Sequence, residues 1–262
     1  MKTAIILFFM GLLLSTHIMS QSGDVVLLTE NNTVHFTGAV TDQSVAKAQR
    51  QMGMVSARLS STDVIYLVID SPGGSVMAGN LFIDFANSLP QKIKPICIFC
   101  ASMGYHMFQS FEERLVFSSS SLMSHRVSIG GLSGQIPGEA ISRLQSIIDT
   151  SNEMDEKVAK RVGISVGEYK KLIYDELWLS GSAAVKSNHA DKIARIRCSK
   201  SLLTGTQKST VGTIFGPVSV TTSKCPLISG ILDYKFEKKL FRSDAEALRL
   251  VKKAKRSVLR RF

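Results

Sequence analysis

Several devices are missing from this 262-residue chain, and each absence narrows what it can do. With only four cysteines, it has one Cys-x-x-Cys pair, Cys97 and Cys100, and no second pair or ligand histidines near it, so zinc is not expected. Residues three apart on a regular strand project to opposite faces, so these two read as separate buried thiols. Cys198 and Cys225 flank a Gly/Thr/Ser-rich stretch and would close it as a disulfide in an oxidising compartment. There is no Walker-type phosphate loop and no internal repeat. No aromatic platform or groove motif accompanies the basic residues, so nucleic acid is not an expected partner. The N-terminal apolar run, residues 4–14, is shorter than the roughly twenty residues of a membrane-spanning helix. Lys2 precedes it and Ser15, Thr16, Ser20 and Ser22 follow, so residues 1–22 read as a signal peptide or, uncleaved, an N-terminal anchor. No cysteine lies near its end, which argues against a lipid anchor. Export is the expectation.

What is present is enough for one α/β domain with tails. The net charge of +11 is uneven: eleven of the lysines and arginines fall in residues 235–262. Within 245–258 the apolar positions 247, 248, 250, 251, 254 and 258 keep near-helical spacing. A basic amphipathic helix of this kind lies on anionic lipid or an acidic partner; a solvated helix end is the plainer reading. Between the two ends, apolar strands alternate with helical periodicity. Strands are expected at 25–28, 34–37, 64–69, 93–99, 114–117, 122–127 and 192–196. Helices are expected after Thr41 and over 75–89, 102–111, 138–162, 165–173 and 180–187. Alternation of this sort implies a largely parallel sheet with right-handed crossovers. Residues 24–197 form the body, and 198–262 a separate basic extension.

Two strand-to-helix turns carry the chemistry. Asp70-Ser-Pro-Gly-Gly-Ser75 offers glycine amides at a helix start, where they are unpaired and at the positive end of the dipole. Donors so placed stabilise a developing oxyanion. Ala101-Ser-Met-Gly104 offers a hydroxyl at the same kind of turn. Ser102 alone would be an ordinary helix cap; as a nucleophile it needs a base. Of the five histidines, His125 in Leu122-Met-Ser-His-Arg-Val127 is the best placed. His17 belongs to the leader, His35 to an early strand, His106 to the Ser102 helix, and His189 is expected near the surface before the last strand of the body.

In order, these segments resemble the caseinolytic protease proteolytic subunit, ClpP. Phe36-Thr-Gly38, Ile69-Asp-Ser-Pro-Gly-Gly-Ser-Val76 with Ala78-Gly79, Ala101-Ser-Met-Gly104, Ser121-Leu-Met-Ser-His125 and Gly130-Gly-Leu-Ser-Gly-Gln135 carry the resemblance across roughly residues 25–195. It implies the ClpP/crotonase spiral of ββα units and a serine peptidase of the S14 type without a cofactor or metal. By that resemblance Ser102 is the nucleophile, His125 the general base, and the amides of Gly74 and Met103 the oxyanion hole. Substrate peptide would add as a strand between Gly74–Met77 and Val127–Leu132, with Ser75, Val76, Val127, Ser128 and Ile129 in contact. The glycine-rich 130–135 strand and the 138–162 helix resemble the family's handle, which implies a homo-oligomeric ring. The third triad member precedes an aromatic-Leu-Ser segment, here Trp178-Leu-Ser180. An ungapped count lands on Glu176 and a slide of one residue on Asp175; aspartate is the family's residue, which favours Asp175.

The expected protein is therefore an exported, periplasmic or membrane-associated bacterial serine endopeptidase. It would cleave peptides or unfolded proteins without ATP, with the basic tail free to touch a membrane. Two other readings share parts of the evidence: a signal-peptide-peptidase-like Ser/Lys protease, which has the same SPGGS turn, and a non-catalytic ClpP-like scaffold.

Overall fold

The computed structural model describes residues 25–131, 133–213 and 216–236 together with Arg249. The leader expected over 1–22 and, Arg249 aside, the amphipathic stretch expected over 245–258 lie outside these residues. The chain runs through β1 (Val25–Leu28) and β2 (Thr33–Thr37) into α1 (Asp42–Ser56). Thr41 and Ser44 cap α1 reciprocally, each side chain taking up a backbone amide of the other. Next come β3 (Val64–Ser71), α2 (Val76–Asn87), β4 (Lys92–Ala101), α3 (Met103–Gln109) and β5 (Leu115–Ser124). The long α4 (Gly138–Val162), α5 (Val166–Leu172), β6 (Leu177–Ser180), α6 (Gly181–Lys186), β7 (Lys192–Ile193) and β8 (Arg195–Cys198) complete the body. Beyond it lie α7 (Lys200–Thr204), β9 (Thr206–Thr213), β10 (Gly216–Ser223) and β11 (Ile231–Phe236).

The fold is mixed α/β. A six-stranded sheet runs β2-β3-β4-β5-β6, with β7 beside the first half of β5. β2 to β5 are mutually parallel, and β6 adds antiparallel to the end of β5. The pieces expected at 114–117 and 122–127 are one strand, and the segment expected at 192–196 is split between β7 and β8. No strand forms in 125–131 or 133–137: a glycine-rich segment is extended stably only with a ladder partner, and none pairs with it among the described residues.

The sheet is buried on both faces, as a parallel sheet must be. On one face, Ile65, Leu67 and Ile69 of β3 pack with Val45, Met52, Phe82 and Phe108 from α1, α2 and α3. On the other, Val68 and Ile96 pack with Leu28, Leu202 and Cys225, so part of the C-terminal extension covers the sheet. The Cys198–Cys225 disulfide anchors it there. Farther out, β9, β10 and β11 make a separate three-stranded antiparallel sheet.

The expectation for Cys97 and Cys100 is corrected: the two form a disulfide. The cause is a β-bulge in β4. Ile69 pairs with Cys97 and Asp70 with Phe99, so Ile98 is skipped in the register. One extra residue restores the face parity that an offset of three would otherwise break. Both sulfurs therefore lie in the helix-side core.

Candidate active site

The site is built where β3 and β4 end. Both glycines after Pro72 have positive φ, 91° at Gly73 and 146° at Gly74, which side chains resist. Close approach excludes a side chain as well. A Cβ on Gly73 would lie 2.5 Å from the Ser102 Cβ, and one on Gly74 2.4 Å from the Val40 carbonyl oxygen. The turn is pinned from several sides. Val40 N–H donates to the Gly73 carbonyl, Ser75 N–H to the Val40 carbonyl, and Gly73 N–H to the Ser71 hydroxyl. The Gly74 amide has no acceptor among the described residues, nor has that of Met103 at the first position of α3.

Ser102 stands at φ 53°, a left-handed conformation costly for a residue with a Cβ. Its amide donates to the Met123 carbonyl at 2.9 Å, which holds the turn against β5. The ordinary role of a serine at a helix start is set aside here: Ser102 is the N-cap of α3 but makes no side-chain capping bond. Its hydroxyl instead meets the His125 Nε2 at 2.8 Å. His125 follows directly on Ser124, the last residue of β5, which is fully buried. A strained strand-to-helix turn that exposes a hydroxyl to an imidazole is the geometry of an activated serine.

His106, one turn into α3 from the serine, is buried, and burial with the nearby His125 lowers its pKa to about 4. It is therefore neutral at pH 7 and places no positive charge beside the base. His35 is likewise held down to about 4, by burial and then Lys47, and its Nε2 has no partner. It lies in β2, away from the serine.

A cleft of about 550 Å³ opens beside the Gly74 amide. Ser75 and Val76 form one wall, with Met77, Leu81 and Asp84 of α2 continuing it. Val127, Ser128 and Ile129 form the facing wall, and Ile147 of α4 closes one side. The five residues expected at a peptide site thus share one cleft, most of its surface apolar.

The acid is not brought to the histidine. Asp175 is exposed and makes no hydrogen bond to His125. Glu176, at φ 82°, accepts the Trp178 indole N–H at 2.9 Å. No described carboxylate bonds to His125. The groups that the sequence did not single out are Ser124, Tyr105, Tyr169 and His189, which meet beneath the site. In the sequence nothing in their spacing sets the first three apart; His189, expected near the surface, is instead buried, its ring drawn inward by the bond to the Tyr105 hydroxyl.

A serine hydroxyl bonded to an imidazole at the ends of parallel strands, on a mixed α/β sheet, is the arrangement of a serine hydrolase class of site. The family follows from comparison: residues 19–197 match the family model described as Clp protease. The chain belongs to the Clp protease family.

Proposed function

We propose that the protein is a serine endopeptidase in which Ser102 attacks the scissile carbonyl carbon. His125 Nε2 takes the hydroxyl proton as the C–O bond forms, then delivers it to the departing amine as the C–N bond breaks. Water, activated by the same imidazole, releases the acyl group and restores the serine. The Gly74 and Met103 amides receive the carbonyl oxygen as it becomes negative. One such donor is worth roughly a hundred- to a thousandfold in rate. Asp175, or Glu176 beside it, balances the imidazolium from the turn that joins α5 to β6. The observation that carries this reading is the 2.8 Å contact between Ser102 and His125, made by a hydroxyl free of capping.

The cleft beside Gly74 takes an extended peptide between 74–77 and 127–130, with apolar side chains favoured by Val76, Met77, Leu81 and Ile129. The spiral form of the fold, the role of α4 as a ring-forming handle and a homo-oligomeric ring belong to this reading. So does work outside the cytoplasm without an ATP-driven partner. Its supports are the apolar leader, the lack of a phosphate loop and two disulfides, which persist in oxidising compartments. The basic extension is assigned to a membrane surface on its charge alone.

The test is labelling of the protein by a fluorophosphonate, with cleavage of a peptide library alongside. Labelling that vanishes in Ser102→Ala and falls in His125→Ala is the expected result. Activity left intact in His125→Ala would favour a Ser/Lys mechanism, and no labelling of the wild type would refute the peptidase.

A further inference from the structure

Behind the serine and histidine lies a run of buried polar groups that the proposed mechanism does not use. Ser124, immediately before His125, shares a hydrogen bond of 2.7 Å with the Tyr169 hydroxyl. Tyr169 lies in the same buried cluster as Tyr105. The Tyr105 hydroxyl shares a 2.5 Å bond with His189 Nδ1. The His189 carbonyl accepts from Gln109, whose side-chain oxygen accepts from Arg114. Ser124, Tyr169, Tyr105 and His189 are all at most 2% exposed. Such groups are costly to bury unless each is satisfied, and once satisfied they fix the elements that carry them.

The elements so joined are the ones that must stay in register for acyl transfer. Tyr105 stands one turn after Ser102 on α3, Ser124 is covalently joined to His125, and Tyr169 of α5 is bonded to the Ser124 hydroxyl. We infer that Tyr169 is a positioning residue for the Ser102–His125 pair, fixing the end of the base-bearing strand through the Ser124 hydroxyl. This rests on the peptidase reading above.

The bridge stays uncharged across the working range. Burial, then the Asp155 charge, holds the Tyr169 phenol protonated against the stabilising bond from Ser124. Burial also holds Tyr105 well above an ordinary phenol, with Arg114 opposing. His189 is lowered to about 4 by burial and then Arg114. Asp155 faces Tyr169 from α4, with Lys170 of α5 and Arg126 beyond β5 as its counter-charges; burial raises its pKa against both cations. Whichever way the proton points, one of the Ser124 and Tyr169 hydroxyls donates to the other. With Glu176 turned to the Trp178 indole, the side chain bonded to the residue before His125 is the Tyr169 phenol and not a carboxylate.

The test compares fluorophosphonate labelling rate per folded molecule, from pH 5 to 9, for wild type, Tyr169→Phe, Ser124→Ala and the double variant, with kcat and KM on one peptide. Tyr169→Phe is expected to lower the plateau rate and kcat by about tenfold or more and to leave KM within about twofold. The double variant is expected to be no slower than the slower single one, since both remove the same bond. Ser124→Ala, the smaller change, carries the test if Tyr169→Phe does not fold. Wild-type rates in the folded single variants, or losses that multiply in the double, overturn the positioning role even if melting temperatures fall. In that case a wild type labelled at Ser102 with His125 dependence leaves the peptidase standing; a wild type that is not labelled overturns both.

Discussion

Replacing Gly73 with alanine asks whether the first turn is a clamp on the second. The new Cβ would sit 2.5 Å from the Ser102 Cβ, 2.7 Å from the Ala101 carbonyl oxygen and 2.8 Å from the Met103 nitrogen. Two of these are backbone atoms at the end of β4 and the start of α3, which cannot rotate away as a side-chain tip does. The φ of 91° adds the cost of a left-handed alanine, about 1–2 kcal/mol. Overpacking of a tight contact adds about 1–3 kcal/mol. If the turn holds, stability falls by the sum, about 2–5 kcal/mol. If it yields, Gly74 and Met103 separate, and loss of one oxyanion donor costs about a hundred- to a thousandfold in kcat. Gly230→Ala is the control: φ is 108° there, but nothing lies within 4 Å of the new Cβ. It bears only the backbone cost and lies in the loop before β11, so its peptide turnover should match wild type. Urea unfolding and peptide kcat, measured on both variants, read the two costs separately. A Gly73→Ala protein with both stability and kcat of the Gly230→Ala control would refute the clamp.

Two further outcomes follow from the geometry. The Cys198–Cys225 bond closes a loop with a sequence separation of 27, which in the chain-entropy account is worth about 3.5 kcal/mol. Serine at both positions should release the C-terminal strands to proteolysis before the body and leave Ser102 labelling near wild type; limited proteolysis followed by labelling checks this. His35, His106 and His189 are each held near pKa 4 in the fold, against about 6.5 unfolded. Between those values the unfolded chain binds more protons, so stability rises with pH across the window and is lost on acidification from about 6.5 towards 4. Each histidine contributes a slope of at most about 1.4 kcal/mol per pH unit. Denaturant midpoints that stay flat from pH 6.5 to 4.5 would contradict the buried neutral state.

Much of the fold was legible because it is written in local periodicity. The run 64–69 is apolar on both faces and lies inside the sheet, and Thr41 caps the helix that follows it. Spacing failed where the backbone departs from regularity. The bulge at Ile98 turned two thiols of opposite parity into a disulfide, and a bulge leaves no mark in residue type. The segment 130–135 was expected as a strand from its likeness to a family, but a strand is a property of a pair and none of the described residues pairs with it. The acid was weakest in the sequence for a related reason. Asp175 and Glu176 are adjacent on a turn, and one residue of slippage exchanges their directions.

The chain's own residue order determined the glycine turn after β3, the serine after β4 and the histidine after β5, because helix starts, strand ends and positive-φ positions are set by neighbours a few residues away. Only the tertiary structure decided that Ser102 leaves its capping role for the His125 imidazole, and that the Tyr169 phenol meets the hydroxyl of the residue before that histidine. Those contacts link residues 23 and 45 positions apart. Packing of α3 on the sheet and of α5 on α4 sets such distances, and no local spacing encodes them.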